Sequence, residues 1–217
     1  TLAPNSLEAH WARAYILQIT DNREQAVQEY LLAIQINPNI SEIHLELGVT
    51  YKGLGVIESA IQQYTLANTY NPSDIRPYLY SSRALASIGE YAKAAQYAES
   101  AVANDPTDPY LRGNWGFMLY KDFDWPNAMI QLALAVNGGT NEDGQTVQPQ
   151  SLTGDDTRIA QYFSVYAILL ANSDRCGAAL RITQLLVTNV PNDADAAFNV
   201  DYIQQICAKS LGTPSSQ

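Results

Sequence analysis

The sequence predicts an all-α protein built of repeated helix–turn–helix units. Three observations lead there. Corresponding residues recur every 34 positions along the first two thirds of the 217-residue chain. Each period holds two segments of helical apolar spacing with a short turn between them, such as "GLGVIES" or "SIGEYAK". The pairs Asn37-Pro38, Asn71-Pro72 and Asp105-Pro106 recur in step, and proline ends a helix and redirects the chain.

The columns justify each element. Gly48 has counterparts in Ala14, Ser82 and Gly116, and Ala60 in Ala26, Ala94 and Ala128. Ala67 matches Ala33, Ala101 and Ala135, and Tyr51 matches Leu17, Leu85 and Leu119. A glycine costs a helix interior about 1 kcal/mol against alanine, so Gly48 needs a reason. Small residues at Gly48 and Ala60 let the two helices of a unit approach closely, and Tyr51 and Tyr64 fill the space around that contact.

In the fourth unit Thr140 stands where the closing proline belongs, and the polar segment "GGTNEDGQTVQPQSLTGDDT" reads as a loop. The repeat then resumes displaced by 17 residues, with Ala167, Leu170, Ala179 and Pro191 on the columns and Thr183 and Leu186 departing from them. The stretch from Ala194 to Ser210 reads as one more helix. Asp201 occupies its small-residue column and no second helix follows, so it reads as a solvating cap. About eleven helices and no sheet are expected.

This pattern resembles the tetratricopeptide repeat family. Ser41 to Asp74 carries it most fully, in Leu47, Gly48, Tyr51, Gly55, Ala60, Tyr64, Ala67 and Pro72. The next unit keeps Ser82, Gly89, Tyr91, Ala94, Ala101 and Pro106. His10 and His44 stand where the family often has tryptophan. The resemblance covers about residues 7–193. It implies an α-solenoid of about five repeats plus a C-terminal capping helix, with a concave face lined by the first helix of each pair. The expected organisation is a leader at 1–6, a single domain at 7–210 and a linker or tail at 211–217. Within the domain, repeats span about 7–40, 41–74, 75–108, 109–137 and 158–193, with an insertion loop at 138–157 and the capping helix at 194–210. Thr1 and the "LGTPSSQ" ending suggest a piece of a larger protein.

Charge narrows the partners. The formal net charge is −10 and the isoelectric point about 4.5, which disfavours nucleic acid and anionic membrane surfaces. No apolar run reaches the roughly 18 residues that cross a bilayer. His10 and His44 lie one period apart in the same column, so both are read as packing residues rather than a metal pair or a catalytic base. "GLGVIES" lacks the ending of a phosphate loop, and "NEDG" and "GDD" lack calcium-loop spacing. No metal, cofactor or catalytic residue is expected.

In the family, ligand-facing residues lie on the first helix of each pair. Helical spacing then selects Glu8, Trp11, Tyr15 and Gln18; Glu42, Leu45, Val49 and Lys52; Arg76, Leu79, Arg83 and Ala86; Tyr110, Gly113, Phe117 and Tyr120; and Gln161, Ser164, Ile168 and Ala171. Trp11, Tyr15, Tyr110, Phe117 and Tyr120 place rings in the groove, and Lys52, Arg76 and Arg83 place positive charge there. The carboxylate clamp of the family's chaperone-binding members is absent, since Trp11 and Tyr15, or Leu45 and Val49, occupy its first columns. The expected function is a non-catalytic protein- or peptide-binding scaffold, with the insertion as a lid or second contact surface. The alternative is a structural spacer or self-associating module. Cys176 and Cys207 stand at nearly equal distances from the turn at Pro191, so antiparallel helices bring them level for a disulfide. That pairing implies an oxidising, extracytoplasmic compartment: secreted, periplasmic or cell-surface.

Overall fold

A computed structural model describes residues 3–153 and 156–210; the expected tail at 211–217 lies outside the described residues. It divides into two compact units, one ending at Asn104 and the next starting at Asp105.

The first unit holds α1 (Leu7–Ile19), α2 (Arg23–Ile36), α3 (Ser41–Gly53), α4 (Ile57–Tyr70), α5 (Arg76–Ser87) and α6 (Tyr91–Asn104). They pack as the pairs α1–α2, α3–α4 and α5–α6, and α2 meets α3 as α4 meets α5. The second unit holds α7 (Pro109–Lys121), α8 (Trp125–Asn137), α9 (Thr157–Asn172), α10 (Cys176–Asn189) and α11 (Ala194–Ser210). There α7 pairs with α8 and α9 with α10, and α9 also meets α7, α8 and α11. The described residues thus form the eleven helices expected.

The small-residue columns sit at the helix contacts. Ala14, Ala26, Ala33, Ala60, Ala67, Ala94, Ala128, Ala135, Ala167 and Ala179 are fully buried. A Cβ on Gly48 would stand 2.5 Å from the Tyr64 ring and 3.1 Å from the Ala60 carbonyl. Gly48 therefore allows the approach of α3 to α4, as the sequence implies. The turn inside each pair uses a left-handed residue at one position: Asp21 (φ 65°), Gly55 (φ 77°), Gly89 (φ 80°), Phe123 (φ 65°) and Asp174 (φ 57°).

The expectation of no sheet needs correction. The insertion forms a small hairpin, β1 (Gly139–Thr140) against β2 (Thr146–Val147), with Gly139 opposite Val147. Asn141 organises its turn: its side-chain oxygen accepts from the amides of Asp143 and Gln145, at 3.1 and 2.8 Å. The Asn141 amide group donates to the Pro106 carbonyl, and Glu142 forms an ion pair with Arg112 at 3.4 Å. These contacts hold the hairpin at the start of α7.

Candidate functional site

The second unit contains a trough floored by α9. Three cavities follow one another along this helix. The first, about 540 Å³, lies between Thr157 and Gln161 and the α10–α11 turn at Asn189–Asp195. The second, about 290 Å³, is bounded by Phe117, Tyr120 and Lys121 of α7, Gln161, Val165 and Ile168 of α9, and Asp195, Phe198 and Asn199 of α11. The third, about 770 Å³, opens between Tyr120, Trp125, Pro126, Met129, Ile168, Leu169, Asn172, Ser173 and Tyr202. Gln161 and Asp195 border both the first and second cavities, and Tyr120 and Ile168 border both the second and third, so the three are contiguous. Sixteen helical residues span about 24 Å at 1.5 Å per residue.

Helical spacing explains the lining. Gln161, Val165, Ile168 and Asn172 form one stripe of α9, and Asp195, Phe198, Asn199 and Tyr202 form one stripe of α11. The walls are open: Phe198 is 73% exposed, Trp125 54% and Tyr202 45%. Burial, with Tyr202 beside it, raises the Tyr120 hydroxyl above its ordinary value, so that hydroxyl stays protonated at neutral pH. The Lys121 ammonium lies 5.6 Å over the Phe117 ring.

Among the groove residues read from the sequence, the trough brings together Phe117, Tyr120, Gln161 and Ile168. Others are placed differently. Tyr110 and Phe117 are not free rings: both pack against Tyr162, with centroids 5.8 and 6.2 Å away. Gly113 makes room for that ring, which a methyl at Gly113 would overlap. Trp11 is half-buried against the core of α1–α3, whereas Tyr15 is exposed. Leu45 belongs to the core, and Ser164 and Ala171 are buried.

The expected basic residues also differ among themselves. Arg76 donates to both oxygens of Glu42, at 3.1 and 2.6 Å, and also binds Asp74. Burial pulls Asp74 up, but the side-chain and backbone hydrogen bonds from Arg76 outweigh it and hold the carboxyl below its ordinary value. Lys52 borders a separate cavity of the first unit with Gln18, Ile19, Arg23 and Val49. Arg83 is half-buried on α5.

Both histidines lie at helix–helix contacts. His10 Nδ1 is 2.6 Å from Glu29, which also accepts from Arg13. Burial raises Glu29, yet the hydrogen bonds from Arg13 and His10 bring it below its ordinary value. His44 Nε2 donates to the Pro38 carbonyl at 2.7 Å, and its Nδ1 lies 2.8 Å from Gln63. Buried Arg112, in the same column, donates to the Pro106 carbonyl and to Gln131. Histidine and arginine thus serve one role, tying the first helix to the chain before it and to the residue 19 positions on. Among the described residues no group of three or more His, Cys, Asp or Glu is arranged to hold a metal ion.

Sequence reasoning missed Trp125, Val165, Asp195, Phe198 and Tyr202. Three of them were readable: Asp195, Phe198 and Tyr202 occupy in α11 the columns of Glu42, Leu45 and Val49. Reading α11 as a solvating cap hid them. It is also a wall of the trough, stapled to α10 by the Cys176–Cys207 disulfide, whose Cα atoms are 5.4 Å apart.

Residues 7–40 match the family model for the tetratricopeptide repeat. Among curated proteins no sequence relative matches. Solved structures resemble the chain in fold. PilF of Pseudomonas aeruginosa is 19% identical with a TM-score of 0.68, over 93% of this chain and 82% of that one. A tetratricopeptide repeat protein of Parabacteroides merdae is 15% identical with a TM-score of 0.68, over 94% and 76%. YrrB, described as a repeat protein with an unusual peptide-binding site, is 15% identical with a TM-score of 0.65, over 93% of each chain.

Proposed function

We propose that this chain, which matches the tetratricopeptide-repeat model at residues 7–40 and resembles solved proteins such as PilF in fold, is a non-catalytic scaffold that binds a protein or peptide partner in the trough of its second unit. The observation that carries this reading is the run of three contiguous cavities along α9, walled by open rings on α8 and α11. An exposed apolar surface of this kind is costly to leave in water and is ordinarily a contact surface. Phe117 and Tyr120 line it from α7. In the first unit, Tyr15, Lys52 and Arg83 are further proposed contacts; Arg76 forms ion pairs with Glu42 and Asp74. Both histidines lie outside the trough lining, which supports a binding role over acid–base chemistry. A purely structural spacer gains nothing from open rings, and this weighs against that alternative.

The test is selection of peptides from a displayed library on the purified protein, followed by binding to variants. Phe198→Ala and Tyr202→Ala should each weaken the selected peptides by about tenfold, as truncated aromatic anchors do. Leu66→Ala, on α4 of the first unit, should leave them unchanged. Peptides that bind all three variants equally would remove the trough from consideration. An extracytoplasmic location is proposed as well, resting on the disulfide. Alkylation of thiols at the moment of cell lysis checks it, and two labelled cysteines would refute it.

A further inference from the structure

The trough also indicates what its partner is made of, and this inference rests on the binding role just proposed. We propose that the occupant is a cationic amphipathic segment, one that seats a large apolar side chain in the third cavity and sets lysine or arginine around it.

The apolar anchor follows from the lining. The third cavity is walled by Tyr120, Trp125, Met129, Ile168, Leu169 and Tyr202, with no charged side chain among its bordering residues. Beside it stands Phe123, with its ring 6.4 Å from Trp125 and 78% of its surface exposed. Phe123 has φ 65° at the turn position that Gly55 and Gly89 fill elsewhere. A bulky residue held left-handed is strained, and at this exposure Phe123 recovers little by burial in the free protein. An external surface that covers the ring gives the strain a use.

Charge supplies the second half. Residues 105–217 hold 12 Asp and Glu against 6 Lys and Arg. One of those cations, Arg112, is buried and paired with Glu142. Among the described residues, the charged groups that border the trough are Asp193, Asp195 and Lys121. These two carboxylates sit in the first turn of α11 or at its start, where the helix dipole offsets part of their field. The third cavity is bordered in part by the N-terminus of α8, at Trp125 and Pro126. It also lies at the C-terminal ends of α7 and α9, which exposed Asp122 and Asp174 follow along the chain. Lys121 and Arg175 are the nearby cations along the chain. A guanidinium or ammonium on the occupant meets the faces of Trp125 and Tyr202 in the third cavity and the carboxylates of Asp193 and Asp195 in the first and second. An anionic segment would meet repulsion from Asp193 and Asp195.

Two synthetic helical peptides of about 16 residues, matching the length of α9, test this. They share a leucine and tryptophan face and differ only in carrying lysine or glutamate on the other. Fluorescence anisotropy with the full chain should show the lysine peptide binding about tenfold tighter or better, and losing affinity as salt is raised. Trp125→Ala should weaken it about tenfold, and Lys121→Glu should tighten it, with circular dichroism confirming that both variants fold. Equal affinity for the two peptides, both abolished by Trp125→Ala, would overturn the charge preference and leave the trough reading standing. Binding of the lysine peptide that ignores Trp125→Ala would be adsorption to an acidic surface and would overturn the inference. Failure of both peptides to bind would remove the trough reading with it. A chain that self-associates through Trp125 would make a second copy the occupant instead.

Discussion

Arg76 grips both carboxylate oxygens of Glu42, and the two stand in the same repeat position, 34 residues apart. The column that the sequence assigns to ligand contact is here used by one repeat to hold the next. Asp74 completes the cluster, and its hydrogen bonds to the Arg76 guanidinium and amide fix the start of α5. Arg76→Ala is expected to lower stability by about 1 kcal/mol, since an exposed pair contributes little even with bidentate geometry. Arg76→Glu should cost more, because it sets a third carboxylate beside Asp74 and Glu42. Chemical denaturation of both variants checks the order. Equal stability of Arg76→Glu and wild type would show the cluster to be idle.

Gly48→Ala is expected to destabilise despite better helix propensity. Alanine gains about 1 kcal/mol in an unhindered helix, but the new methyl would stand 2.5 Å from the Tyr64 ring and 3.1 Å from the Ala60 carbonyl. Overpacking of this kind costs about 1–3 kcal/mol, which is the larger effect. Tyr64→Leu should relieve it, so the double variant should be more stable than the sum of the single changes implies. Strict additivity would place the clash elsewhere.

Acid should unfold the protein through specific carboxylates. The folded state holds Glu29, Asp74 and Glu142 below their ordinary values: hydrogen bonds from Arg13 and His10 outweigh burial at Glu29, those from Arg76 outweigh burial at Asp74, and at Glu142 the backbone amide leads, with Arg112 adding to it. A depressed folded value means that unfolding takes up protons. The stability from these groups is therefore whole above the ordinary values, 4.5 for Glu and 3.8 for Asp, and is lost as the pH falls through the lowered ones. Melting temperatures measured downward from pH 6 should fall in that range, and Glu29→Gln should flatten the fall. An unchanged slope would remove Glu29 from the linkage.

The sequence carries repeat-periodic information well and cross-repeat information poorly. Gly48, Ala60 and Tyr64 are legible because their contact lies inside one unit and recurs. The disulfide is legible because helical rise alone sets Cys176 level with Cys207 across the turn. The hairpin is not, because its anchors are reached across 30 and 35 residues, Arg112 with Glu142 and Pro106 with Asn141. The fate of a groove position depends on its neighbour's size. Tyr162 swings into the space left by Gly113 and takes up Tyr110 and Phe117, and no single column records that exchange.

Phe123→Gly is expected to stabilise. Left-handed backbone costs a residue with a Cβ about 1–2 kcal/mol, while glycine adds about 0.5–1 kcal/mol of unfolded-chain entropy to be lost. The net gain is about 0.5–1 kcal/mol, because the exposed Phe123 ring surrenders little packing beyond its contact with Trp125. Asp174→Gly, at the same turn position, should gain less, since aspartate tolerates this region better. Thermal melts of the two variants compare them directly. A large loss of stability in Phe123→Gly would mean that the Phe123–Trp125 contact is structural rather than held open for a partner.

Reduction of the Cys176–Cys207 disulfide should release α11 and with it one wall of the trough. The helix is weakly held otherwise: it buries only Ala196, Val200, Ile203 and Cys207, whereas α9 buries twelve residues. The bridge closes a sequence separation of 31, for which the chain-entropy model gives about 3–4 kcal/mol. That is large against the apolar area of one alanine, one valine and one isoleucine, so α11 should open before the rest of the unit. The double variant Cys176→Ala/Cys207→Ala should therefore show faster amide exchange across Ala194–Ser210 while α7 to α9 stay protected. Any ligand of the trough should bind it more weakly, since Asp195, Phe198 and Tyr202 leave with the helix. Unchanged exchange in α11 would show that packing alone holds the wall. Faster exchange throughout α7–α11 would show instead that the second unit opens as a whole.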